Sequence, residues 1–330
     1  MSLSLALQLV EAVTPAPVGT TTLVAVGGPD DVAVAQRWCD ATGNHLLSVH
    51  PDAVEILRGR LADPIQALPA DRRPGHRLWI YTNFHCNLAC DYCCVGSSPT
   101  AAPRIIGVPE FAYLVTEAVT AGVRELYVTG GEPFMLLDLD ERLSIAARAL
   151  PTTVLTNAMT WNGARRARLE ALPRHGLTLQ ISLDSATPEL HDRHRGPGSF
   201  ARARAGIETA IELGFRVRVA ATLGADAGRA EDELIELFDK LGLAPDQQVI
   251  RRVAQQGAAN QGLAVSRESL IPEVCITASG VYWHPVAATD PAMKVADRWA
   301  PLQPVIESIR DEYRMYRIRG EITASTFPCA

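Results

Sequence analysis

The chain has 330 residues, enough for one large domain and a small companion. At 47% hydrophobic and 21% charged it has the make-up of an ordinary globular protein, and a net charge of −6 excludes a broad Lys/Arg-rich surface for nucleic acid. No apolar run approaches the roughly 20 residues of a membrane span, and the apolar start MSLSLALQLVEAV lacks a basic n-region and carries Glu11. It reads as an amphipathic helix rather than a signal peptide, and the expected location is cytoplasmic.

In chain order, a helix at about 3–13 precedes a strand at 20–26, TTTLVAV, and the turn GGPDD opens a helix at about 30–42 whose acidic start suits the helix dipole. That helix ends at Gly43, and HLLSVH at 45–50 is a second strand. Residues 1–61 thus form a small α/β domain. The stretch 62–77, ADPIQALPADRRPGHR, has three prolines and no apolar periodicity, and is expected as a linker. From there strands at 77–84, 125–131, 152–158, 177–185, 215–224 and 247–253 alternate with helices near 108–121, 138–149, 162–172, 199–213 and 230–241.

Nearly continuous apolar strands alternating with helices predict a parallel sheet covered by helices. Six units are too few for a closed eight-stranded barrel, so the fold class is α/β, a partial (β/α)6 TIM-like barrel over 78–255. Residues 256–330 form a C-terminal extension, and functional residues are expected at the carboxyl ends of the strands.

Four of the seven cysteines crowd into 86–94, C-N-L-A-C-D-Y-C-C. Such a cluster outside a secreted disulfide framework points to metal or catalysis. Thiolates on one short loop suit an iron–sulfur centre. A zinc site, with His85 or Cys94 as fourth ligand, is the alternative.

The spacing C-x3-C-x2-C, with Tyr92 before the last cysteine, resembles the radical S-adenosylmethionine (SAM) superfamily. The resemblance implies that Cys86, Cys90 and Cys93 hold a [4Fe–4S] cluster. Its open iron is chelated by SAM, whose reductive cleavage gives a 5′-deoxyadenosyl radical that abstracts hydrogen from substrate. T-G-G-E-P-F, Thr129 to Phe134, is similar to the family's GGE motif, so Gly130, Gly131 and Glu132 are expected at the SAM amino group. By the same resemblance Tyr92, Asn157, Ser182, Asp184 and Arg195 are cofactor-binding, with Arg195 on the SAM carboxylate, and Thr222 or Leu223 is expected near adenine.

The run from LDSATPEL to IELGF looks like the branch of peptide- and cofactor-modifying enzymes that carries SPASM or twitch extensions. Cys275, followed by Gly280, resembles the opening hairpin of a twitch domain, but His284 stands where a second cysteine belongs and Cys329 is the other cysteine of the extension. A degenerate extension without a second cluster is expected. Residues 26–49 resemble the small sulfur-carrier (SirA/TusA-like) family without its Cys-Pro pair, Cys39 lying mid-helix; an unrelated α/β cap is the alternative.

The expected function is hydrogen abstraction from a ribosomal peptide or protein, with small-molecule or cofactor biosynthesis as the alternative and an iron–sulfur redox sensor as the least favoured reading. A flavodoxin or ferredoxin is the expected electron donor. One of Arg251 and Arg252 should face inward and hold an anionic substrate; a surface salt bridge is the alternative.

Overall fold

The computed structural model describes residues 5–59, 63–224 and 228–326. The chain divides into two compact units, Met1–Arg73 with Arg310–Ala330, and Pro74–Ile309.

In the first unit α1 (Leu5–Val13), β1 (Thr21–Ala25), α2 (Pro29–Thr42), β2 (His45–Val49) and β3 (Ala53–Leu57) follow one another. The strands form an antiparallel sheet in the order β1-β3-β2. Proline at the first turn and Asp30 and Asp31 start α2, and Gly43, at φ +68°, stops it in the left-handed conformation. Leu9, Val13, Ala35, Trp38 and Cys39 of the helices close on Val24, Val54 and Ile56 to form the core. The opposite sheet face leaves Leu23, Leu47 and Val49 more than half exposed.

Sequence reasoning overlooked β3, the central strand. It follows β2 after only a three-residue turn, and its alternation is a short Val54/Ile56 pattern. The described part of the stretch expected as a linker, 63–77, is also tied down. Asp63 accepts from Arg314 of the C-terminal helix at 3.1 and 3.0 Å, and the Arg73 guanidinium donates to the carbonyls of Leu68 and Gln66.

The second unit runs β4 (Arg77–Tyr81), α3 (Val108–Thr120), β5 (Glu125–Thr129), α4 (Leu139–Ala149), β6 (Thr152–Thr156), α5 (Gly163–Ala171), β7 (Leu177–Ser182), α6 (Pro188–Arg195), α7 (Ser199–Glu212), β8 (Arg216–Leu223), α8 (Gly228–Lys240), β9 (Gln248–Arg252), β10 (Cys275–Thr277), β11 (Gly280–Tyr282), β12 (Lys294–Ala296) and α9 (Leu302–Thr326), whose later part belongs to the first unit. Among the described residues the sheet order is β12-β11-β10-β4-β5-β6-β7-β8-β9, with β4 to β9 all parallel and the two ends unpaired with each other. This is the expected six-unit open barrel.

One face of β4, β5, β7 and β8 is fully buried: Leu78 and Ile80, Leu126 and Val128, Leu179 and Ile181, and Val219 and Ala221. The other face is concave. Arg218 on β8 donates to the Tyr127 hydroxyl on β5 at 3.1 Å, although two strands intervene. On a flat sheet those positions would stand roughly 14 Å apart with parallel side chains.

Part of the stretch expected as a C-terminal extension joins the main sheet. β10 pairs in parallel with β4, so the β10–β11 hairpin belongs to the main sheet.

Candidate active site

The site forms at the carboxyl ends of β4 to β8. After Tyr81 the chain leaves β4, and hydrogen bonds hold the cysteine loop to β5 and to itself. Thr82 N donates to Thr129 O (2.8 Å), Phe84 N to Pro103 O (2.7 Å) and Cys86 N to Ser98 O (3.2 Å). A tight turn follows, with Cys93 N on Cys90 O (3.1 Å) and Gly96 N on Cys93 O (3.0 Å).

Two backbone N–H groups point at sulfur: Leu88 N at Cys86 Sγ (3.4 Å) and Ser97 N at Cys93 Sγ (3.3 Å). Such donors stabilise a thiolate and set the potential of an iron–sulfur centre. Burial pushes the Cys86 thiol up to about 12 and the Cys90 thiol up to about 11, so both are neutral until metal displaces their protons.

Among the described residues no three His, Cys, Asp or Glu side chains gather closely enough for one metal ion. A [4Fe–4S] cluster spreads its cysteines over separate irons, and the loop's donor set fits it.

The GGE stretch runs against the start of the cysteine loop. Gly131 N donates to Asn83 O and Glu132 N to His85 O, both at 3.0 Å, while Asn83 Nδ2 bonds the carbonyls of His85 (3.0 Å) and Glu132 (3.1 Å). A Cβ on Gly130 would lie 2.1 Å from Asn83 Oδ1, and one on Gly131 2.3 Å from His85 O. The glycines thus serve the close approach of two loops.

Glu132 is buried, and its carboxylate accepts from Phe134 N (3.0 Å), Thr156 Oγ1 (2.7 Å) and Asn157 N (2.7 Å). Burial raises its pKa to about 6 against those hydrogen bonds. Three of about four lone-pair positions are filled by protein. Asn157 reaches back to the cysteine loop, donating to Asn87 Oδ1 at 2.9 Å.

A second network joins Tyr92, Asp184 and Arg195. The Tyr92 hydroxyl and Arg195 Nε both donate to Asp184 Oδ2, and Arg195 Nε also lies 2.9 Å from the Tyr92 oxygen. Asp184 Oδ1 accepts from Thr222 N (2.9 Å). Burial works to raise the Asp184 carboxyl, but the Arg195 charge and these hydrogen bonds outweigh it and hold it below its ordinary value. The stretch HDRHRG forms the end of α6, with Arg195 its last residue and Gly196 its cap at φ +99°. α6 also offers His191, whose Nδ1 accepts from Asp184 N (3.2 Å), and His194, 2.9 Å from Asp91.

Ser182 ends β7, half-buried and beside Ala220 of β8. Leu223 is buried on the opposite face of β8 from Thr222. Sequence reasoning missed Asn83, Thr156, His191 and Gly257. A Cβ on Gly257 would meet Cys93 O at 2.4 Å, and the next N–H, of Ala258, bonds that carbonyl at 2.9 Å.

The extra thiols sit on the concave face. The Tyr81 hydroxyl donates to Pro285 O at 2.9 Å, and burial pushes the Cys94 thiol up to about 12 despite the Arg251 charge; Cys275 is fully buried and also raised by burial. His284 Nδ1 accepts from Val286 N at 3.2 Å, and Cys329 lies outside the described residues.

A parallel open barrel with a three-cysteine loop after its first strand and a GGE turn after its second defines a radical SAM domain. Residues 80–241 match the family model of the Radical SAM superfamily, and the chain belongs to that superfamily, whose enzymes use a [4Fe–4S] cluster and SAM. It is 33% identical over 158 residues to Molybdenum cofactor biosynthesis protein 1 of Drosophila melanogaster, covering 47% of this chain and 27% of that protein. It is 40% identical over 126 residues to the PqqA peptide cyclase of Ruegeria pomeroyi, covering 36% and 32%. The chain thus spans about a third or less of the length of these two relatives. The solved structure of native anSMEcpe with bound AdoMet superposes with a TM-score of 0.57 at 12% identity, over 72% of this chain and 82% of that one, a likeness of fold.

Proposed function

We propose that Cys86, Cys90 and Cys93 ligate a [4Fe–4S] cluster and that the chain acts as a radical SAM enzyme abstracting hydrogen from a peptide. The observation that carries this reading is the loop itself, with backbone N–H groups on two of the three sulfurs and the GGE turn bonded to its start. When bound, the cluster and SAM supply one-electron cleavage of the sulfonium bond and hydrogen abstraction.

The chain's own residues bind and orient. The backbone of Gly130 and Gly131 faces the SAM amino group, and Glu132 fixes that turn to the end of β6. Asp184 holds Arg195 and Tyr92 in place, and Arg195, with three or more N–H groups to spare, takes the SAM carboxylate. Ser182 and Asn157 complete the cofactor wall. A flavodoxin- or ferredoxin-type protein delivers the electron. The extension holds no second cluster.

The peptide reading draws on the likeness to a peptide cyclase and on the first unit, whose sheet offers an exposed apolar face and two open edges for strand addition. A small-molecule substrate is the second reading, favoured by the likeness to a cofactor-biosynthesis protein. The ligand assignment is tested by iron analysis after anaerobic reconstitution. Wild type should hold about four irons, and the variant with all three cysteines changed to Ala should hold almost none. Iron at about half the wild-type level in that variant would place a second cluster elsewhere in the chain.

A further inference from the structure

Two arginines on the concave face of the barrel lack an acidic partner among the described residues. Arg251 on β9 pairs in register with Thr222, and Thr222 lies on the same face of β8 as Ala220 and Arg218. The neighbouring Arg252 turns the other way and is held by Glu231 on α8 at 2.5 Å. Arg251 therefore points inward, toward the Cys94 side of the cysteine loop.

Arg218 stands four residues below the level of Arg251, roughly 13 Å along the strand. It gives one N–H to the Tyr127 hydroxyl, and its Nε is buried without a hydrogen-bond partner. The acids around this face are already engaged: Asp184 by Arg195, and Glu125 and Glu273 by Arg77 at 3.2 and 3.8 Å. Glu132 is filled by three hydrogen bonds.

A guanidinium has five donors in a planar fork that matches carboxylate and phosphate oxygens; Arg251 is exposed and free to take an anion, while the orphaned Nε–H of half-buried Arg218 is costly to leave unpaired. We propose that Arg251, at the level of the SAM-binding rim, and Arg218, deeper in the barrel, form a two-point subsite for anionic oxygen groups of the substrate, carboxylate or phosphate. This rests on the radical SAM reading for the word substrate, but not for the anion.

The test is calorimetry on the full-length chain, with inorganic pyrophosphate and with glutarate as probes, in samples whose iron and 5′-deoxyadenosine formation are measured in parallel. At least one probe should bind wild type, and its dissociation constant should rise at least tenfold in Arg251→Gln and in Arg218→Gln. Arg252→Gln should bind as wild type does. A preference for pyrophosphate assigns a phosphorylated substrate, and a preference for glutarate assigns a carboxylate; either supports the subsite.

Failure of both probes to bind, wild-type binding in Arg251→Gln, or an equal loss in Arg252→Gln overturns it. Should Arg218→Gln not fold, Arg251→Gln and Arg218→Lys carry the test. Probe binding in a sample that forms no 5′-deoxyadenosine keeps the subsite and counts against the radical reading alone.

Discussion

At the scale of single residues, Glu132 has a double task. Its carboxylate satisfies three buried donors, so Glu132→Ala orphans Phe134 N, Thr156 Oγ1 and Asn157 N. The expected cost is roughly 2–4 kcal/mol of stability, together with weaker SAM binding as the GGE turn loosens; thermal melts and equilibrium dialysis with SAM read the two. Unchanged affinity for SAM would remove the GGE turn from the cofactor site. His191 gives a pH dependence. Burial lowers its pKa from 6.5 to about 4, while its neutral Nδ1 accepts from Asp184 N. The folded chain thus resists protonation that the unfolded chain accepts below 6.5. Stability is full above 6.5 and falls as pH drops toward 4, by of order 2–3 kcal/mol from this group. Denaturant titrations of wild type and His191→Gln across that window should differ in slope, and identical slopes would contradict the assignment.

The cysteines and the GGE residues were legible because a cluster and its cofactor fix residue types at short spacings within one loop. The groups that hold them were not. Asn83, Thr156 and Gly257 act through contacts with segments distant in sequence, His191 acts from an otherwise polar helix, and none carries a local signature.

At the scale of elements, the two βα loops after β4 and β5 behave as one piece. Gly131→Ala would drive a Cβ to 2.3 Å from the His85 carbonyl, which is backbone and cannot swing aside. The variant should fold less stably and retain clearly less iron after reconstitution and gel filtration than wild type. Wild-type iron retention would show that the close approach does not support the cysteine loop. The apolar strands and amphipathic helices of the barrel were readable because each buries a periodic face. Three elements were not. α6, PELHDRHR, is almost wholly polar and buries only His191, so it lacks an apolar stripe. β3 is brief and follows β2 too closely for punctuation to separate them. α9 spans 25 residues and passes from one unit to the other, which no local pattern reports.

At the scale of the whole molecule, the chain divides into two compact units of different make-up. The barrel unit contains every residue assigned to the cluster, to SAM and to the anion subsite. Among its described residues the first unit contributes an apolar sheet face and one thiol: Cys39 is fully buried in its core, and burial pushes that thiol up to about 11, which suits packing and not sulfur transfer. The central claim is that the barrel unit performs radical SAM chemistry, and it is tested most directly by incubating the anaerobically reconstituted full-length chain with dithionite and SAM. The account predicts bound iron and sulfide in about equal amounts, near four of each, and slow formation of 5′-deoxyadenosine and methionine without added substrate. Protein purified anaerobically with stoichiometric zinc, no sulfide and no cleavage of SAM would contradict it.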